Sequence, residues 1–338
     1  MKSKIIIGNN KEILKLLPEK SIQCVVTSPP YWGLRDYDNE AQIGLEQTPE
    51  DYVEALCQVF DEVWRILKDD GTLWLNLGDS YASFRDGKAT PDTTRGNSNG
   101  TLVPKGSAMN RLASSFKNNN LKHKDLVGIP WRVAFALQSR GWYLRQDIIW
   151  SKPNPMPESV TDRCTKSHEY IFLLTKSPKY YFDNKSIAEP VVTSDGGKGI
   201  RFGGSKYGDS NDPKHATKSG NVYEGSETRN KRDVWTISTS RYKEAHFATY
   251  PPELILPCIL SGSNINDIIL DPFSGSGTTG EVAMLNNRNY IGIELNSDYA
   301  ILSEKRLLES CGLFGSVSIL RNCNTSISVD DLLGNLNG

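Results

Sequence analysis

Ile268–Thr279 reads IILDPFSGSGTT, an apolar run that leads into a glycine loop and then into a segment with helical spacing. Glycines at a strand-to-helix turn lack Cβ atoms, so a ligand can lie directly against the backbone. The next apolar run, Asn289–Ile293, ends at Glu294, where an α/β nucleoside site places a carboxylate that accepts both ribose hydroxyls. No lysine follows Gly277, which favours an adenosine ligand without a polyphosphate over a phosphate-binding loop. A plain tight turn is the alternative.

A second motif, Thr27–Trp32 (TSPPYW), follows the apolar run Ile22–Thr27 (IQCVVT). Two prolines fix φ and remove two backbone donors, so the local carbonyls can only accept hydrogen bonds. A hydroxyl, a rigid carbonyl and an aromatic face suit a planar base with an exocyclic amino group, on which Tyr31 would stack. The alternative is a structural Pro-Pro turn with core aromatics, and Trp32 in particular fits either a pocket wall or the core.

Short apolar runs alternate with helical patterns along the chain, which predicts a doubly wound, mostly parallel α/β sheet. In Pro49–Leu67 the apolar residues share one helical face, and Thr48 is a suitable N-cap in front of Pro49. We expect strands at Ile22–Thr27, Gly71–Gly78, Trp142–Trp150, Tyr170–Thr175, Ile268–Leu270 and Asn289–Glu294. We expect further helices at Asp125–Ser139, Pro251–Leu260, from about Thr278, and at Asp298–Ser310.

Composition excludes several classes of protein. The 338 residues contain six scattered cysteines without a C-x-x-C pair and four histidines, which argues against a zinc site or a disulfide framework. No apolar run is long enough for a membrane span, and the first residues lack the pattern of a signal peptide. We therefore expect a cytoplasmic protein that uses no metal and no membrane.

The net charge of −1 hides a strong local segregation of charge. Residues 83–124 are basic, and residues 193–245 mix basic residues with glycine, serine and aromatic residues. Solvated loops would explain either stretch alone, but two of them suggest insertions that grip a polyanion. We expect the first to contact phosphates and the second to read base edges. The candidate DNA-binding residues are Lys117, Lys122, Lys124, Arg229, Lys231 and Arg232.

Ser-Pro-Pro-Tyr together with Asp-Pro-Phe-x-Gly-x-Gly resembles the S-adenosylmethionine-dependent DNA methyltransferases that act on exocyclic amino groups. The resemblance implies a class I methyltransferase fold in which polar insertions form a small target-recognition region. The tetrad precedes the cofactor loop, as in the beta class, and serine as its first residue is usual for N4-cytosine enzymes. The stretches GTLWLNLGDSY, WYLRQDIIWSKPNPMPES, HEYIFLLT and HFATYPPELI resemble further blocks of that family.

The resemblance assigns roles to individual residues. It assigns to the target base and the catalytic step Ser28, Pro29, Pro30 and Tyr31. It assigns to the cofactor Asp271, Pro272, Phe273, Ser274, Gly275, Gly277, Thr278 and Glu294, with Glu294 on the ribose. Phe247–Pro252 would line the amino-acid end of the cofactor, and Asp79 would either border the pocket or cap a helix.

The implied organisation has four parts. Residues 1–192 form the catalytic half with the basic insertion 83–124, residues 193–245 the target-recognition region, residues 246–310 the cofactor-binding half, and residues 311–338 a C-terminal tail. The expected activity is transfer of a methyl group from S-adenosyl-L-methionine to N4 of a flipped-out cytosine in double-stranded DNA. A restriction endonuclease that acts separately would be its natural partner.

Four alternatives stay open at this point. An N6-adenine methyltransferase uses the same chemistry on another base. A C5-cytosine enzyme needs a cysteine nucleophile, and Pro257-Cys258 supplies a candidate, although it lies in an apolar helical segment. A glutamine methyltransferase of release factors normally has its tetrad after the cofactor loop. A non-catalytic nucleic-acid-binding module would explain the basic stretches but not both ligand motifs.

Overall fold

Strands and helices alternate along the chain, and the structure, a computed structural model, describes residues 1–34, 39, 41–82, 121–191, 228–239, 250–311, 316–321 and 328–334. The strands are β1 (Lys2–Ile7), β2 (Ile22–Thr27), β3 (Leu67–Leu77), β4 (Tyr143–Ser151), β5 (His168–Thr175), β6 (Glu189–Pro190), β7 (Thr228–Arg229), β8 (Val234–Thr236), β9 (Ile268–Asp271), β10 (Asn289–Glu294) and β11 (Ser316–Arg321). The helices are α1 (Asn10–Leu16), α2 (Pro49–Ile66), α3 (Ile129–Ser139), α4 (Pro252–Gly262), α5 (Thr278–Leu285), α6 (Ser297–Cys311) and α7 (Val329–Leu333).

The main sheet has the strand order β11-β1-β10-β9-β2-β3-β5-β4-β8 within the described ranges. Only β5 runs antiparallel to both its neighbours, β3 and β4, and the other pairings are parallel. A separate two-stranded ladder joins β6 to β7. The predicted mostly parallel α/β sheet is confirmed.

Helices cover both faces of this sheet. Neighbouring residues within a strand point to opposite faces, so Val25 belongs to one core and Val26 to the other. The core around Val25 is closed by α1, α2, α3 and α7, whereas the core around Val26 is closed by α4, α5 and α6. The central strands β2 and β9 are buried on both sides, which is why they read as continuous apolar runs.

Helix α2 begins where its capping residues predict. The Thr48 side chain accepts a hydrogen bond from the Asp51 backbone N–H at 3.0 Å, and Pro49 occupies the first turn, where a missing N–H has no intrahelical partner to lose. Its apolar face is fully buried against the sheet. Helix α2 lies in the connection between the adjacent parallel strands β2 and β3 and crosses one face of the sheet.

The structure departs from the sequence-based assignment at several places: helix α1 was not predicted, and α3 begins at Ile129 rather than Asp125, because the Asp79 carboxylate caps it there. Strand β3 starts at Leu67 rather than at Gly71, and it passes so close to β2 that a Cβ at Gly71 would lie 2.8 Å from the Gln23 carbonyl oxygen. Strand β1 was not predicted, yet it pairs with β10 in the sheet. Strand β11 lies in the weakly patterned C-terminal residues and pairs with β1 in parallel.

Candidate active site

The two motifs lie side by side at the carboxyl edge of the sheet, although more than two hundred residues separate them in sequence. Strands β2 and β9 are parallel neighbours, with Val25 paired to Leu270. Each strand ends at its motif, and the Thr27 hydroxyl donates a hydrogen bond of 2.6 Å to the Asp271 carboxylate. Ligands of open α/β sheets bind outside this edge, where neighbouring strands lead into different connections.

Asp271 organises the glycine loop from within the protein. Its carboxylate is 1% exposed and accepts from the hydroxyls of Thr27 and Thr279 at 2.6 Å, from the Phe273 N–H at 3.0 Å and from the Tyr250 hydroxyl at 3.1 Å. Burial raises the pKa of this carboxyl, and the hydrogen bonds oppose the rise. Four donors match the acceptor capacity of a carboxylate. The assignment of Asp271 to the cofactor thus stays a prediction, and the contacts show a side chain engaged inside the protein.

Two glycines of the loop have different roles. Both adopt left-handed backbone conformations, with φ of +52° at Gly275 and +79° at Gly277. A Cβ at Gly277 would lie 2.2 Å from the Ser303 hydroxyl on α6, so this glycine allows helix and loop to pack closely. A Cβ at Gly275 would meet nothing within 4 Å. Gly275 therefore offers bare backbone to open space, as a ligand-binding turn requires.

Glu294, at the end of β10, faces the same loop. Its two carboxylate oxygens accept one backbone N–H each, from Gly275 at 2.7 Å and from Asn296 at 2.8 Å. Burial raises the pKa of the Glu294 carboxyl to about 7. A carboxylate has about four acceptor sites, so the group keeps acceptor capacity beyond these backbone donors, which ribose hydroxyls would use. The start of α6 is capped by Asn296, whose side chain accepts from the Asp298 N–H at 2.8 Å, so Glu294 is not the cap of that helix.

The other side chains of the loop are turned into the protein. Ser274 shares a hydrogen bond of 2.9 Å with the Tyr290 hydroxyl, and Thr278 accepts from Arg306 at 2.8 Å. The Pro272 carbonyl accepts from the Asn10 side chain at 3.1 Å, while Phe273 packs against the core. These contacts fix the shape of the loop. Any cofactor contact at Ser274 or Thr278 therefore has to use the backbone, and their predicted roles stay predictions.

The tetrad is held from three directions. The Pro30 carbonyl accepts a hydrogen bond of 2.8 Å from the Tyr52 hydroxyl on α2. The Tyr31 ring lies against Gly78 just after β3, where a Cβ would be 2.5 Å from a ring carbon. The Tyr31 hydroxyl donates to Glu169 on β5 at 2.6 Å. Ser28 and Tyr31 remain partly exposed, whereas Pro29 is buried.

Sequence reasoning missed Glu169 and its partner Lys152. Lys152, directly after β4, forms an ion pair with the second oxygen of Glu169, and the Asn76 amide on β3 lies 3.3 Å from the first. Burial raises the pKa of the Tyr31 phenol, and the Glu169 charge raises it further. The sequence signal that could have pointed to Glu169 is an acidic residue near the start of the apolar stretch HEYIFLLT. Its meaning depends on the antiparallel direction of β5, which starts at the edge where the parallel strands end.

Three residues with two possible roles can now be assigned. Trp32 is 4% exposed, and its indole N–H donates to the Glu46 carbonyl at 2.9 Å, so it belongs to the core. Asp79 accepts from the backbone N–H groups of Gly128 at 2.9 Å and Ile129 at 3.1 Å, and therefore caps α3. Cys258 is fully buried in α4 with its pKa raised well above the usual value by desolvation. Such a thiol cannot serve as the nucleophile of a C5 enzyme.

Three candidate DNA-binding residues converge on one acid. Arg229, Lys231 and Arg232 lie 3.5, 3.7 and 3.1 Å from the Glu189 carboxylate, so three cations share a single negative charge. The result is a locally basic surface beside β8.

Two further candidate DNA-binding residues, Lys122 and Lys124, are exposed. Lys124 pairs with Asp162 at 2.5 Å, and both side chains are more than half exposed. Such a pair contributes little to stability and leaves the lysine able to reach a phosphate. Lys117, most of the insertion 83–124, residues 192–227 and residues 240–249 lie outside the described residues.

Two negative findings concern the described part of the chain. Within it, no group of three or more histidine, cysteine, aspartate or glutamate side chains has the geometry to hold a metal ion. No helix there is both long and apolar enough to cross a membrane.

Comparison with known proteins agrees with this site. A profile of the N6/N4 DNA methylase family matches residues 22–305. The type II methyltransferase M.XycI of Xanthomonas campestris pv. cyanopsidis is 46% identical over 90% of this chain and 87% of its own. The type II methyltransferase M.SmaI of Serratia marcescens is 47% identical over 90% of both chains. The chain belongs to the family of S-adenosylmethionine-dependent DNA amino-methyltransferases, as the tetrad and glycine loop predicted.

Solved structures share the fold. The cytosine-N4-specific PvuII DNA methyltransferase superposes with a TM-score of 0.60 at 19% identity, covering 100% of this chain and 94% of its own. A proposed DNA modification methylase of Thermus thermophilus, solved with S-adenosyl-L-methionine, gives a TM-score of 0.55 at 20% identity and covers 94% of this chain and 99% of its own. The class I methyltransferase fold is thereby confirmed.

Proposed function

We propose that this protein is a site-specific type II DNA methyltransferase that transfers a methyl group from S-adenosyl-L-methionine to the exocyclic N4 of cytosine in double-stranded DNA. The observation that carries the choice of base is Ser28, the first residue of the tetrad, which is partly exposed at the carboxyl end of β2 beside the glycine loop. The type II relatives support the site-specific activity, and the fold of the N4-specific PvuII enzyme is compatible with it.

The tetrad activates a poor nucleophile. The lone pair of an aryl amine is conjugated into the ring, so acceptors on both N–H bonds are needed to return it to the nitrogen. Ser28 Oγ is the first acceptor. The Pro30 carbonyl is directed towards α2, where it accepts from the Tyr52 hydroxyl, so we assign the Pro29 carbonyl as the second. The Tyr31 ring stacks on the base and aligns the nitrogen for in-line attack.

The cofactor residues fit an adenosine ligand with no polyphosphate. Gly275 opens its backbone to free space, and the Glu294 carboxylate keeps acceptor capacity beside it. When bound, S-adenosylmethionine supplies an electrophilic methyl group on a sulfonium. Asp271, Ser274 and Thr278 hold the loop in the shape that Gly275 and Glu294 require, through contacts inside the protein.

DNA recognition is assigned to the basic segments. The target amine lies inside the duplex, so the base has to flip out, which costs a few kcal/mol. We assign residues 193–245 to base readout, with Arg229, Lys231 and Arg232 at its described end, and residues 83–124 to phosphate contacts. Residues 1–192 and 246–310 then form the catalytic and cofactor-binding halves, and residues 311–338 follow as the tail that contributes β11. We place the enzyme in the cytoplasm, where a separate restriction endonuclease of matching specificity would be its partner.

Methylation of DNA with labelled cofactor tests the proposal. Purified protein is incubated with duplex DNA and methyl-labelled S-adenosylmethionine, and the DNA is digested to nucleosides for mass spectrometry. We expect N4-methyldeoxycytidine as the labelled product. N6-methyldeoxyadenosine without methylcytidine would overturn the choice of base and leave the family intact. Label found only in protein, or in neither, would overturn the choice of DNA as substrate.

A further inference from the structure

We propose that Glu169 and Lys152 are positioning residues of the methyl-transfer site: their ion pair holds the Tyr31 hydroxyl and thereby fixes the ring on which the target base stacks. This inference rests on the proposed function, because the ring acts on a base only if the protein methylates one. Neither residue belongs to the tetrad or to the glycine loop. Both come from the antiparallel part of the sheet.

The contacts form a chain that leads away from the tetrad. The Tyr31 hydroxyl donates to Glu169 Oε2 at 2.6 Å, and the Lys152 ammonium pairs with Oε1 of the same carboxylate. The Asn76 amide lies 3.3 Å from Oε2 and also donates to the Tyr170 carbonyl at 3.1 Å. The side chains of Glu169 and Lys152 are only 14% and 17% exposed, so water screens this pair weakly.

The hydroxyl and the ring face restrain different motions. The hydroxyl of a tyrosine lies on the axis through its ring, so the hydrogen bond to Glu169 sets where that axis points. Rotation of the ring about this axis is blocked by Gly78, whose backbone lies close enough that a Cβ would be 2.5 Å from a ring carbon. With direction and plane both fixed, Gly78 closes off the part of the ring that it contacts, and we assign the partly exposed remainder to the base.

Lys152 offsets the free-energy cost of burying the Glu169 carboxylate. A buried carboxylate without a counter-charge is costly and would favour its neutral form. Lys152 supplies the counter-charge and is itself held in place, since its ammonium lies 4.2 Å from the centre of the Trp150 ring and its backbone N–H donates to the Ser167 carbonyl at 2.8 Å. The Glu169 carboxylate can therefore stay buried beside the phenol and accept a strong hydrogen bond from it.

The proposal is tested by steady-state kinetics of E169Q, Y31F and the double variant. All of them are measured on the same DNA duplex, one that the wild-type protein methylates. We expect each single variant to lower kcat about tenfold while the Kd for S-adenosylmethionine stays within about twofold of wild type. Because Glu169 acts on the ring through the hydroxyl that Y31F removes, the double variant should be no slower than Y31F alone. E158Q is the matched control: Glu158 lies in the connection that leads into β5 but pairs with Arg163 at 2.7 Å, and we expect wild-type kcat.

The outcomes separate the two claims. Independent, multiplicative losses in the double variant, or wild-type kcat in Y31F, would overturn the positioning role. Y31F leaves the Glu169–Lys152 pair intact, so it remains informative even if E169Q fails to fold, which thermal melting will show. A wild-type protein that methylates no DNA would instead overturn the proposed function.

Discussion

The glycine loop Asp271–Gly277 and the tetrad Ser28–Tyr31 end neighbouring strands, yet they are stabilised in opposite ways. In the loop, the buried Asp271 carboxylate is surrounded by neutral donors, namely three hydroxyls and one backbone N–H group. The tetrad is held at Tyr31 by an ion pair between Lys152 and Glu169. The loop's contacts come from nearby parallel strands and helices, and the ion pair comes from the antiparallel strand pair β4–β5.

Under the proposed function, this difference matches the demands of two ligands, a cofactor that is always the same and a base that has to be extruded. The loop turns its side chains inward and presents backbone at Gly275, together with the Glu294 carboxylate. The tetrad presents the Ser28 hydroxyl and the Tyr31 ring, and it orients the ring through residues far away in sequence. The following predictions test this contrast.

We expect the largest effect at Gly277. Alanine there would adopt left-handed φ and bring a Cβ within 2.2 Å of the Ser303 hydroxyl, which together should cost about 2–5 kcal/mol of unfolding free energy. Gly275→Ala is the matched control for stability, since its Cβ meets open space; it should cost only about 1–2 kcal/mol but weaken cofactor binding. Urea denaturation and calorimetric titration measure the two quantities. Equal stability losses would contradict the division of roles between the glycines.

The second prediction concerns Ser28. Ser28→Ala removes an acceptor for the amine and should lower kcat about 100-fold, with cofactor affinity unchanged because the hydroxyl acts on the base. Single-turnover methyl transfer and calorimetry provide the two measurements. Ser139→Ala, which removes a hydroxyl on α3 that bonds to the Phe135 carbonyl of its own helix, controls for the loss of a hydroxyl elsewhere. Near-wild-type turnover of Ser28→Ala would reject the assigned role.

The third prediction concerns the pH dependence of cofactor binding through Glu294. Burial raises the pKa of its carboxyl to about 7, and ribose hydroxyls donate to the ionised form. Lowering the pH from about 8 to about 6 protonates the group and should therefore weaken affinity about tenfold. Glu294→Gln should bind about 1–3 kcal/mol more weakly and show no such pH dependence. Unchanged affinity of this variant together with a lower melting temperature would indicate a structural role instead.

The smallest effects are expected from neutralising the candidate DNA-binding lysines and arginines. Neutralising Lys117, Lys122 and Lys124 should weaken binding to all DNA alike and reduce the salt slope by about 0.9 per lost phosphate contact. Neutralising Arg232 beside Glu189 should instead change sequence preference. Fluorescence anisotropy over a range of salt concentrations, on specific and unrelated duplexes, separates the two. If the lysine variant showed an altered sequence preference and an unchanged salt slope, the roles of phosphate contact and base readout would have to be exchanged between the two segments.

Sequence patterns located the local chemistry well. The N-cap at Thr48, the strand before Ser28, the glycine loop and Glu294 at the end of β10 depend on neighbouring residues only, and the structure has each of them. The family followed from two short motifs in a particular order, and the profile match over residues 22–305 confirms it. The DNA-binding assignments and the choice of cytosine stay predictions.

The sequence by itself determined the class of fold, the family and the positions of both motifs, because periodicity and turn residues act within a few residues of each other. Only the tertiary structure decided which groups each of these side chains contacts. It turned Asp271 inward, made Asp79 the cap of α3 and placed Trp32 in the core. It also brought Glu169 to Tyr31, because the antiparallel direction of β5 places its first residues at the carboxyl edge of the parallel strands. Strand order and direction are set by long-range pairing, which no local pattern encodes.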